Sequence, residues 1–460
     1  MSHWELAVDI GTTATAAAIA ADGNRHPIEL DGRSRMPSTV LAPAHGPLVV
    51  GDAAEAQAAL DPERVERTPK RRLGDPVMLL GGRPVDPVDA LAAILGHVGA
   101  AASRRMAGTA PTRLVLTHPA QWGSARLDLL RDAAGRAQLP DPVLVSEPVA
   151  AAAHLAYDVA APGAFLAVYD LGGGTFDAAI VRRTPDGFVV AGPPGGDDSL
   201  GGEALDDLVV RAVLDRLDAD TAAQLTSSEA RVWRQARWQL RRDARTAKEA
   251  LSSSSTYRWY LGAPVDAELS LSGTELEALV RDSIIATARS LLDAIRRAGL
   301  SPEQLATVVM VGGCARAPIV GQVLTEATGR PPTTWGDPKG AVSLGALRAA
   351  AQTEIGPSPT AAFTPPGPPA PAVPEEPEPE PSVAPSEPEP AEDEPPATAA
   401  EPPPVRPHVP EVVPTEGAEP PAPDHGPAAD PWDRQRIGTI VAIGLVAVGV
   451  VFALLALLAR

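Results

Sequence analysis

The segment DLGGGTFD, at residues 170–177, directly follows an apolar run, 165–169, that is typical of a buried β-strand. A related segment, DIGTT at residues 9–13, follows a second apolar run. Each joins an acidic residue to a glycine turn with hydroxyl groups. Glycine lets the backbone approach an anion closely, and successive N–H groups can then point at phosphate oxygens. An aspartate at the strand end is well placed to hold a hydrated Mg²⁺, which prefers oxygen ligands.

Two such segments, roughly 160 residues apart, indicate a duplicated fold that grips one nucleotide from both sides. One segment alone would be weak evidence, because a turn with a glycine and two threonines is common. Strand-like and helix-like stretches alternate around them, which predicts an α/β fold with two lobes and a central cleft. Two hairpins are predicted around the glycine turns, one from strands 6–8 and 16–20 and the other from strands 165–169 and 178–181. The other predicted strands are 113–117, 143–145, 267–271 and 307–311, and the predicted helices are 124–136, 149–157, 203–217, 228–251, 272–298, 319–328 and 340–351.

The composition changes sharply after about residue 354. Residues 357–430 contain fifteen acidic residues and one arginine, which account for most of the formal net charge of −19. A stretch this rich in Pro and Glu cannot bury enough apolar surface to offset its ordering entropy. We therefore expect a disordered, acidic, Pro-rich linker over 355–433. Its charge argues against binding to nucleic acid, and a docking site for a protein partner is the alternative to a plain spacer.

Residues 437–459 form an uncharged run of 23 residues, with Arg434 and Arg436 before it and Arg460 after it. At about 1.5 Å per residue, this run spans roughly 34 Å, enough to cross a lipid bilayer as one transmembrane helix. A buried core helix is the less favoured alternative, because the run has no polar face. The preceding arginines favour a cytoplasmic side. We expect a single-pass, tail-anchored membrane protein whose domain 1–354 is cytoplasmic, where the single Cys314 would stay reduced.

A set of motifs occurs in a fixed order along residues 4 to about 352. They are DIGTT (9–13), VSEPVAAA (145–152), DLGGGTFD (170–177), LGGE (200–203), AKEALSS (247–253), VGGCARAP (311–318) and AVSLGA (341–346). This order resembles the nucleotide-binding domain of the heat-shock-protein-70 (DnaK-like) chaperones, within the actin–hexokinase–chaperone ATPase superfamily. The resemblance implies a two-lobed, actin-like (ribonuclease H-like) fold with a nucleotide cleft. It also implies an ATPase that uses ATP/ADP and Mg²⁺, with K⁺ as a further candidate cation.

The resemblance also implies roles on the phosphate side of the cleft. Asp9, Glu147 and Asp170 would lie beside Mg²⁺, and Asp177 would support the second loop. Lys70 would offset the charge that grows on the transferring phosphoryl oxygens, although without the resemblance a basic surface loop is the favoured interpretation of this lysine. The implied catalytic residues are Asp9, Lys70, Glu147, Asp170 and Thr175, and the implied phosphate-binding residues are Gly11, Thr12, Thr13, Gly172, Gly173, Gly174, Gly201 and Gly202.

On the adenosine side, the resemblance implies contacts from Lys248, Ser252, Gly312, Gly313 and Arg316. The guanidinium of Arg316 would stack on the purine, whereas Lys248 could equally be a solvated helix charge. Several residues depart from the family pattern and put nucleotide choice in question. Arg245 stands where a glutamate is usual and Glu249 where an arginine is common, and the further departures are Cys314, Ala315, Lys339 and Gly340.

The family follows this domain with a peptide-holding β-sandwich, whereas the Pro-rich segment here has no alternating strand pattern. Three functions therefore stay open at this point. The first is a slow ATP-driven conformational switch that signals to a protein partner at the cytoplasmic membrane face. The second is a nucleotide-held scaffold at the membrane with little turnover. The third, a small-molecule kinase, is disfavoured because the chaperone-type motifs dominate.

Overall fold

The computed structural model describes residues 3–58, 60–333 and 340–353. The predicted linker (355–433), the predicted transmembrane helix (437–459) and Lys339 lie outside the described residues. Within the described ranges, none of the helices has both the length and the apolar character that a membrane span requires.

The described residues form an α/β domain. Its strands are β1 (Trp4–Ile10), β2 (Ala14–Ala21), β3 (Asn24–Ile28), β4 (Met36–Pro37), β5 (Val40–Leu41), β6 (Val49–Val50), β7 (Val65–Glu66), β8 (Met78–Leu80), β9 (Arg83–Val85), β10 (Arg113–His118), β11 (Pro142–Ser146), β12 (Phe165–Leu171), β13 (Phe176–Arg183), β14 (Phe188–Val190), β15 (Gly195–Asp197), β16 (Thr256–Leu261), β17 (Ala267–Ser272) and β18 (Leu305–Val311). Its helices are α1 (Asp52–Gln57), α2 (Pro87–Arg105), α3 (Ser124–Arg136), α4 (Glu147–Leu155), α5 (Gly202–Leu214), α6 (Ala219–Ser227), α7 (Arg231–Ala250), α8 (Gly273–Arg297), α9 (Pro318–Thr328) and α10 (Ala341–Thr353).

The first lobe is built on a sheet with the strand order β11–β10–β1–β2–β3, in which β4 also pairs with β2. β1 and β2 form the predicted antiparallel hairpin, and β10 runs parallel to β1. The carboxyl ends of β1 and β10 therefore meet at one edge, where Asp9 and the first glycine turn lie. Ligands in α/β sheets commonly bind beyond this end of the strands.

The second lobe repeats this arrangement with the strand order β14–β13–β12–β18, in which β15 also pairs with β13. β12 and β13 form an antiparallel hairpin around the second glycine turn, and β18 runs parallel to β12 with Val311 beside Asp170. The Gly312–Gly313 turn thus follows β18 at the same edge as DLGGGTFD. The two hairpins were predicted from the paired motifs, and the structure adds a parallel neighbouring strand to each.

Two helices pack on strands of both sheets and so join the lobes. One buried cluster combines the alanines of α4 and α10 with Ala7 and Val115 of the first sheet and with Val168 of the second. The helices approach closely because α10 carries a glycine at the contact. A Cβ at Gly345 would lie 2.7 Å from the carbonyl carbon of Ala150.

Some predicted elements differ from the structure at their ends. The alanine-rich helix begins at Glu147 rather than at residue 149, because Pro148 is well tolerated in a first helical turn. Helix α3 begins at Ser124 as predicted, and Gly123 occupies its N-cap position without a side-chain bond. A further helix, α6, begins where Asp218 accepts a hydrogen bond from the Thr221 N–H.

Candidate functional site

The two glycine turns face each other across the cleft between the lobes. Gly173 of the second turn lies against the Thr13 side chain of the first so closely that a Cβ on the glycine would collide with it. Beside them is a cavity of about 270 Å³ that both lobes line. The predicted residues around it are Asp9, Gly11, Thr12, Thr13, Lys70, Glu147, Asp170, Gly172, Gly173, Thr175, Gly312 and Gly313.

Lys70 lines this cavity, and its ammonium group donates a hydrogen bond to Glu147. The lysine Nζ is 2.6 Å from the Glu147 Oε1, and their side chains are only 7% and 12% exposed. Lys70 belongs to a short 3₁₀ turn, Pro69–Arg72, whereas Glu147 is the first residue of α4. Burial alone would lower the lysine pKa, but Glu147 and Asp9 raise it above its ordinary value. The lysine is therefore a buried, charged group, and the surface-loop interpretation is wrong.

Three more carboxylates converge on the same cavity from both lobes. Burial, and then the charge of Glu147, raises the pKa of Asp9 to about 6, although the Thr117 hydroxyl donates to its Oδ1 at 2.6 Å. Burial and Glu147 also raise the pKa of Asp177 to about 6, and that of Asp170 well above its ordinary value. These acids repel one another, and the charge of Lys70 offsets that repulsion only in part.

An anionic set of oxygen donors of this kind suits a hydrated Mg²⁺, whose charge would offset the repulsion. Asp9, Glu147 and Asp170 are the predicted metal-side residues, and all three line the cavity. Among the described residues, no group of three or more Asp, Glu, His or Cys side chains is arranged to hold an ion by direct ligation.

The second glycine turn is supported from behind by the start of α5. The Gly202 N–H donates to the Gly172 carbonyl at 3.0 Å, and the Glu203 N–H to the Gly173 carbonyl at 2.7 Å. A Cβ at Gly201 would lie 2.7 Å from the Thr175 nitrogen. Of the predicted phosphate-binding glycines, Gly174 and Gly201 thus pack against each other rather than line the cavity.

A second cavity, of about 380 Å³, continues along the cleft. The residues predicted for the adenosine side that line it are Lys248, Ser252, Gly313 and Arg316, and Gly202 joins them. Lys248 is held firmly, because its Nζ donates to the Gly202 carbonyl at 2.7 Å and lies 2.6 Å from the Asp206 Oδ1. The lysine therefore ties α7 to α5, and it is not a solvated helix charge.

The two exchanged charges also lie at this second cavity. Arg245 and Glu249 both line it. They form an ion pair one helical turn apart, with 3.1 Å between the arginine Nε and the glutamate Oε1. Their side chains are 50% and 56% exposed, so the pair lies at the rim.

Several residues that the sequence did not single out connect the lobes here. Arg71 of the first lobe donates to the Gly174 carbonyl of the second, and its guanidinium lies 3.9 Å from the Glu203 carboxylate. Gln121 likewise donates to Asp177 at 2.5 Å. Gln121 follows the carboxyl end of β10, which is a position where ligand contacts are common, so strand order could have suggested it.

The sequence is also similar to those of known proteins. A family model described as Hsp70 protein matches residues 77–358, more than half of the chain. The chaperone protein HscA homolog of Azotobacter vinelandii is 33% identical over 365 residues, which cover 74% of this chain and 56% of that protein. The HscA homolog of Aromatoleum aromaticum is 32% identical, with 74% and 57% covered.

The chain thus spans about half the length of the curated relatives that it matches. The mixed α/β architecture and the family match confirm the predicted fold class at the level of an Hsp70 ATPase-type domain. On this evidence, the chain belongs to the Hsp70 family.

Proposed function

We propose that this protein binds ATP in the cleft between its lobes and hydrolyses it slowly with Mg²⁺, as a conformational switch. The carrying observation is the buried Lys70–Glu147 pair, at 2.6 Å, in a cavity that also holds Asp9 and Asp170. Lys70 would offset charge on the γ-phosphoryl oxygens, and Glu147 would orient the attacking water. Asp9, Glu147 and Asp170 would hold Mg²⁺, which would supply positive charge to the phosphates.

The chain's own backbone would hold the phosphates. The turns at Gly11 and at Gly172–Gly173 line the cavity from opposite lobes, and their flexible backbone suits close approach to an anion. A ligand that both turns contact favours the closed arrangement of the lobes, so hydrolysis and release would relax it. This difference between two states is what a protein partner would sense.

We further propose that the switch acts at a membrane. Support comes from the sequence alone, in the 23-residue apolar run at 437–459 behind Arg434 and Arg436. The ATPase domain would lie in the cytoplasm, and the acidic, Pro-rich segment 355–433 would hold it near its protein partner. The relatives are named as chaperones, but the switch does not require a peptide clamp in this chain.

A second candidate is a nucleotide-held scaffold with little turnover. The observation that favours it is the crowding of buried carboxylates, where burial and the charge of Glu147 raise the pKa values of Asp9, Asp170 and Asp177, so that mutual repulsion strains the cleft. A bound nucleotide with its cation would relieve that strain and stabilise the domain by mass action. Binding without turnover would therefore already be useful.

Steady-state ATP hydrolysis by the full-length protein in mild detergent, with Mg²⁺, separates the two. We would compare Lys70→Ala and Glu147→Gln with Arg72→Ala, a control in the same turn whose guanidinium pairs with Asp75 at 2.6 Å on the surface. Turnover that both site variants lose, and the control keeps, supports the switch. Tight ADP binding without turnover supports the scaffold, and absence of both binding and turnover contradicts the proposal.

A further inference from the structure

Trp122 stands in the turn that leads from β10 to α3. Its backbone N–H donates to the Pro119 carbonyl at 3.1 Å, which closes the turn one residue before the N-cap of α3. The indole packs against the buried core of the first lobe, and it also lines the cavity of about 270 Å³ that holds Lys70 and Glu147. The ring is therefore anchored on one side and borders the proposed phosphate site on the other.

Two cations lie close to this ring. The Lys70 Nζ is 5.5 Å from the ring centroid, and the guanidinium carbon of Arg126, in the first turn of α3, is 5.7 Å from it. Both distances are within the roughly 6 Å over which an aromatic ring attracts a cation. Both cations line the same cavity. The indole is thus a shared, neutral partner for two positive groups that belong to different elements.

An aromatic ring suits Lys70 better than a further acid would. The lysine side chain is only 7% exposed, so little water stabilises its charge, and Glu147 supplies one acceptor at 2.6 Å. An ammonium group has three N–H donors. A ring attracts it through the quadrupole of the π-system, and so adds no negative charge to a cavity whose carboxylates already repel one another. Trp122 can therefore stabilise the ammonium without supplying an acceptor that competes with a phosphoryl oxygen.

We propose that Trp122 is a positioning residue for Lys70, whose ammonium the indole holds beside Glu147 in the place from which it would meet the γ-phosphoryl group. This inference rests on the proposed function. The charge of Lys70 matters most when negative charge develops on the transferring phosphoryl oxygens. A displaced lysine should therefore slow the chemical step more than it weakens the binding of ATP.

The test is steady-state ATP hydrolysis with Mg²⁺ by full-length protein in mild detergent. Trp122→Leu should lower kcat about tenfold, in line with the loss of a desolvated cation–π contact, and change the KM for ATP less than about twofold. Trp122→Phe keeps an aromatic face and should retain kcat within about threefold. The matched control is Trp238→Leu on α7, because the Trp238 ring also lies near a cation, Arg242 at 5.0 Å, but lines neither cavity.

Urea unfolding of each variant shows whether the folded proteins are being compared, and Trp122→Met replaces the leucine variant if that variant does not fold. Equal losses of kcat in the leucine and phenylalanine variants, or a raised KM with an unchanged kcat, would overturn the positioning role. So would a Trp122→Leu protein that turns over as fast as Trp238→Leu, and in each case the proposed hydrolysis stands. If wild-type protein shows no turnover, the proposed switch fails and this inference fails with it.

Discussion

Lys70 illustrates how a residue's surroundings change its chemistry. A lysine between a proline and two arginines suggests a solvated loop, yet the structure buries it against Glu147. Taking two charges out of water is expensive, and only a close pair with further partners offsets that expense. Asp9 supplies further negative charge to the same lysine. A charged pair retained in a buried place is a reason to look for chemistry there.

Asp177 should destabilise the nucleotide-free domain at neutral pH. Its pKa is raised to about 6 in the folded protein from an ordinary 3.8. The folded state therefore binds the proton more tightly than the unfolded state, and the free energy of unfolding falls as the pH rises from about 3.8 to about 6. At about 1.4 kcal/mol per pKa unit, Asp177→Asn should stabilise the nucleotide-free protein by about 1–3 kcal/mol at pH 7.5 and by clearly less at pH 5. Urea unfolding at both values measures this.

A surface aspartate serves as the control for that measurement. The pKa of Asp158 is lowered because Arg348 bonds to it, so Asp158→Asn should not stabilise the protein at pH 7.5. Equal gains from the two substitutions would show that net charge, and not the buried site, governs the effect.

Lys248 should matter for stability as well as for the nucleotide. Its loss leaves Asp206, only 13% exposed, without its partner at 2.6 Å. Breaking a buried pair from one side is strongly destabilising, so Lys248→Met should cost roughly 3 kcal/mol in the free energy of unfolding. Adding Asp206→Leu should recover much of that loss, and a double variant as unstable as the single one would argue against this explanation.

At the scale of elements, the sequence is most informative where glycine turns follow apolar strands. The sequence predicted the strands β1, β12 and β18 and the turns after them, because an apolar run is followed at each place by turn-forming glycine. α2 was not predicted, since Gly96 and Gly99 within it weaken a helical pattern that tertiary packing then supports. Arg71 and Gln121 were missed for another reason. Their roles arise from contacts across more than fifty residues of sequence.

The contact between the second glycine turn and α5 can be tested by adding one methyl group. A Cβ at Gly201 would press on the Thr175 nitrogen at 2.7 Å, so Gly201→Ala should lower the free energy of unfolding by about 1–3 kcal/mol and weaken nucleotide binding. Gly135→Ala in α3 is the control. Open space surrounds Gly135, and alanine there should stabilise the helix by up to about 1 kcal/mol.

At the scale of the molecule, the two lobes meet at a permanent joint and at a separable one. The permanent joint is the buried packing of α4 and α10 on both sheets. The separable joint crosses the cleft, where Arg71 contacts Gly174 and Glu203 and where Gln121 contacts Asp177. Polar contacts of this kind break at a small cost in free energy, because water replaces the lost hydrogen bonds. Separating an apolar core costs more, because its surface becomes exposed to water. Motion of the lobes should therefore open the cleft and leave the helices packed.

Arg71→Ala should accelerate nucleotide release without unfolding the protein. Losing its bonds across the cleft removes a charge-assisted contact that holds the lobes closed, and we expect ADP to dissociate about tenfold faster, as followed by stopped-flow displacement of a fluorescent ADP. Arg72→Ala, on the neighbouring surface position, should leave the rate unchanged. Unchanged release from both variants would mean that the cleft contacts do not limit opening.

The alanine-rich contact between α4 and α10 has a mechanical consequence. Ala150, Ala151 and Ala346 are fully buried at a surface that carries few long side chains. Helices with large interdigitating side chains must exchange rotamers before they can shift, whereas two smooth surfaces can slide past each other by small steps. Alanine also has no side-chain rotamers to lose or exchange. We therefore expect the α4–α10 contact to allow small shear movements between the two lobes while the apolar packing itself is kept.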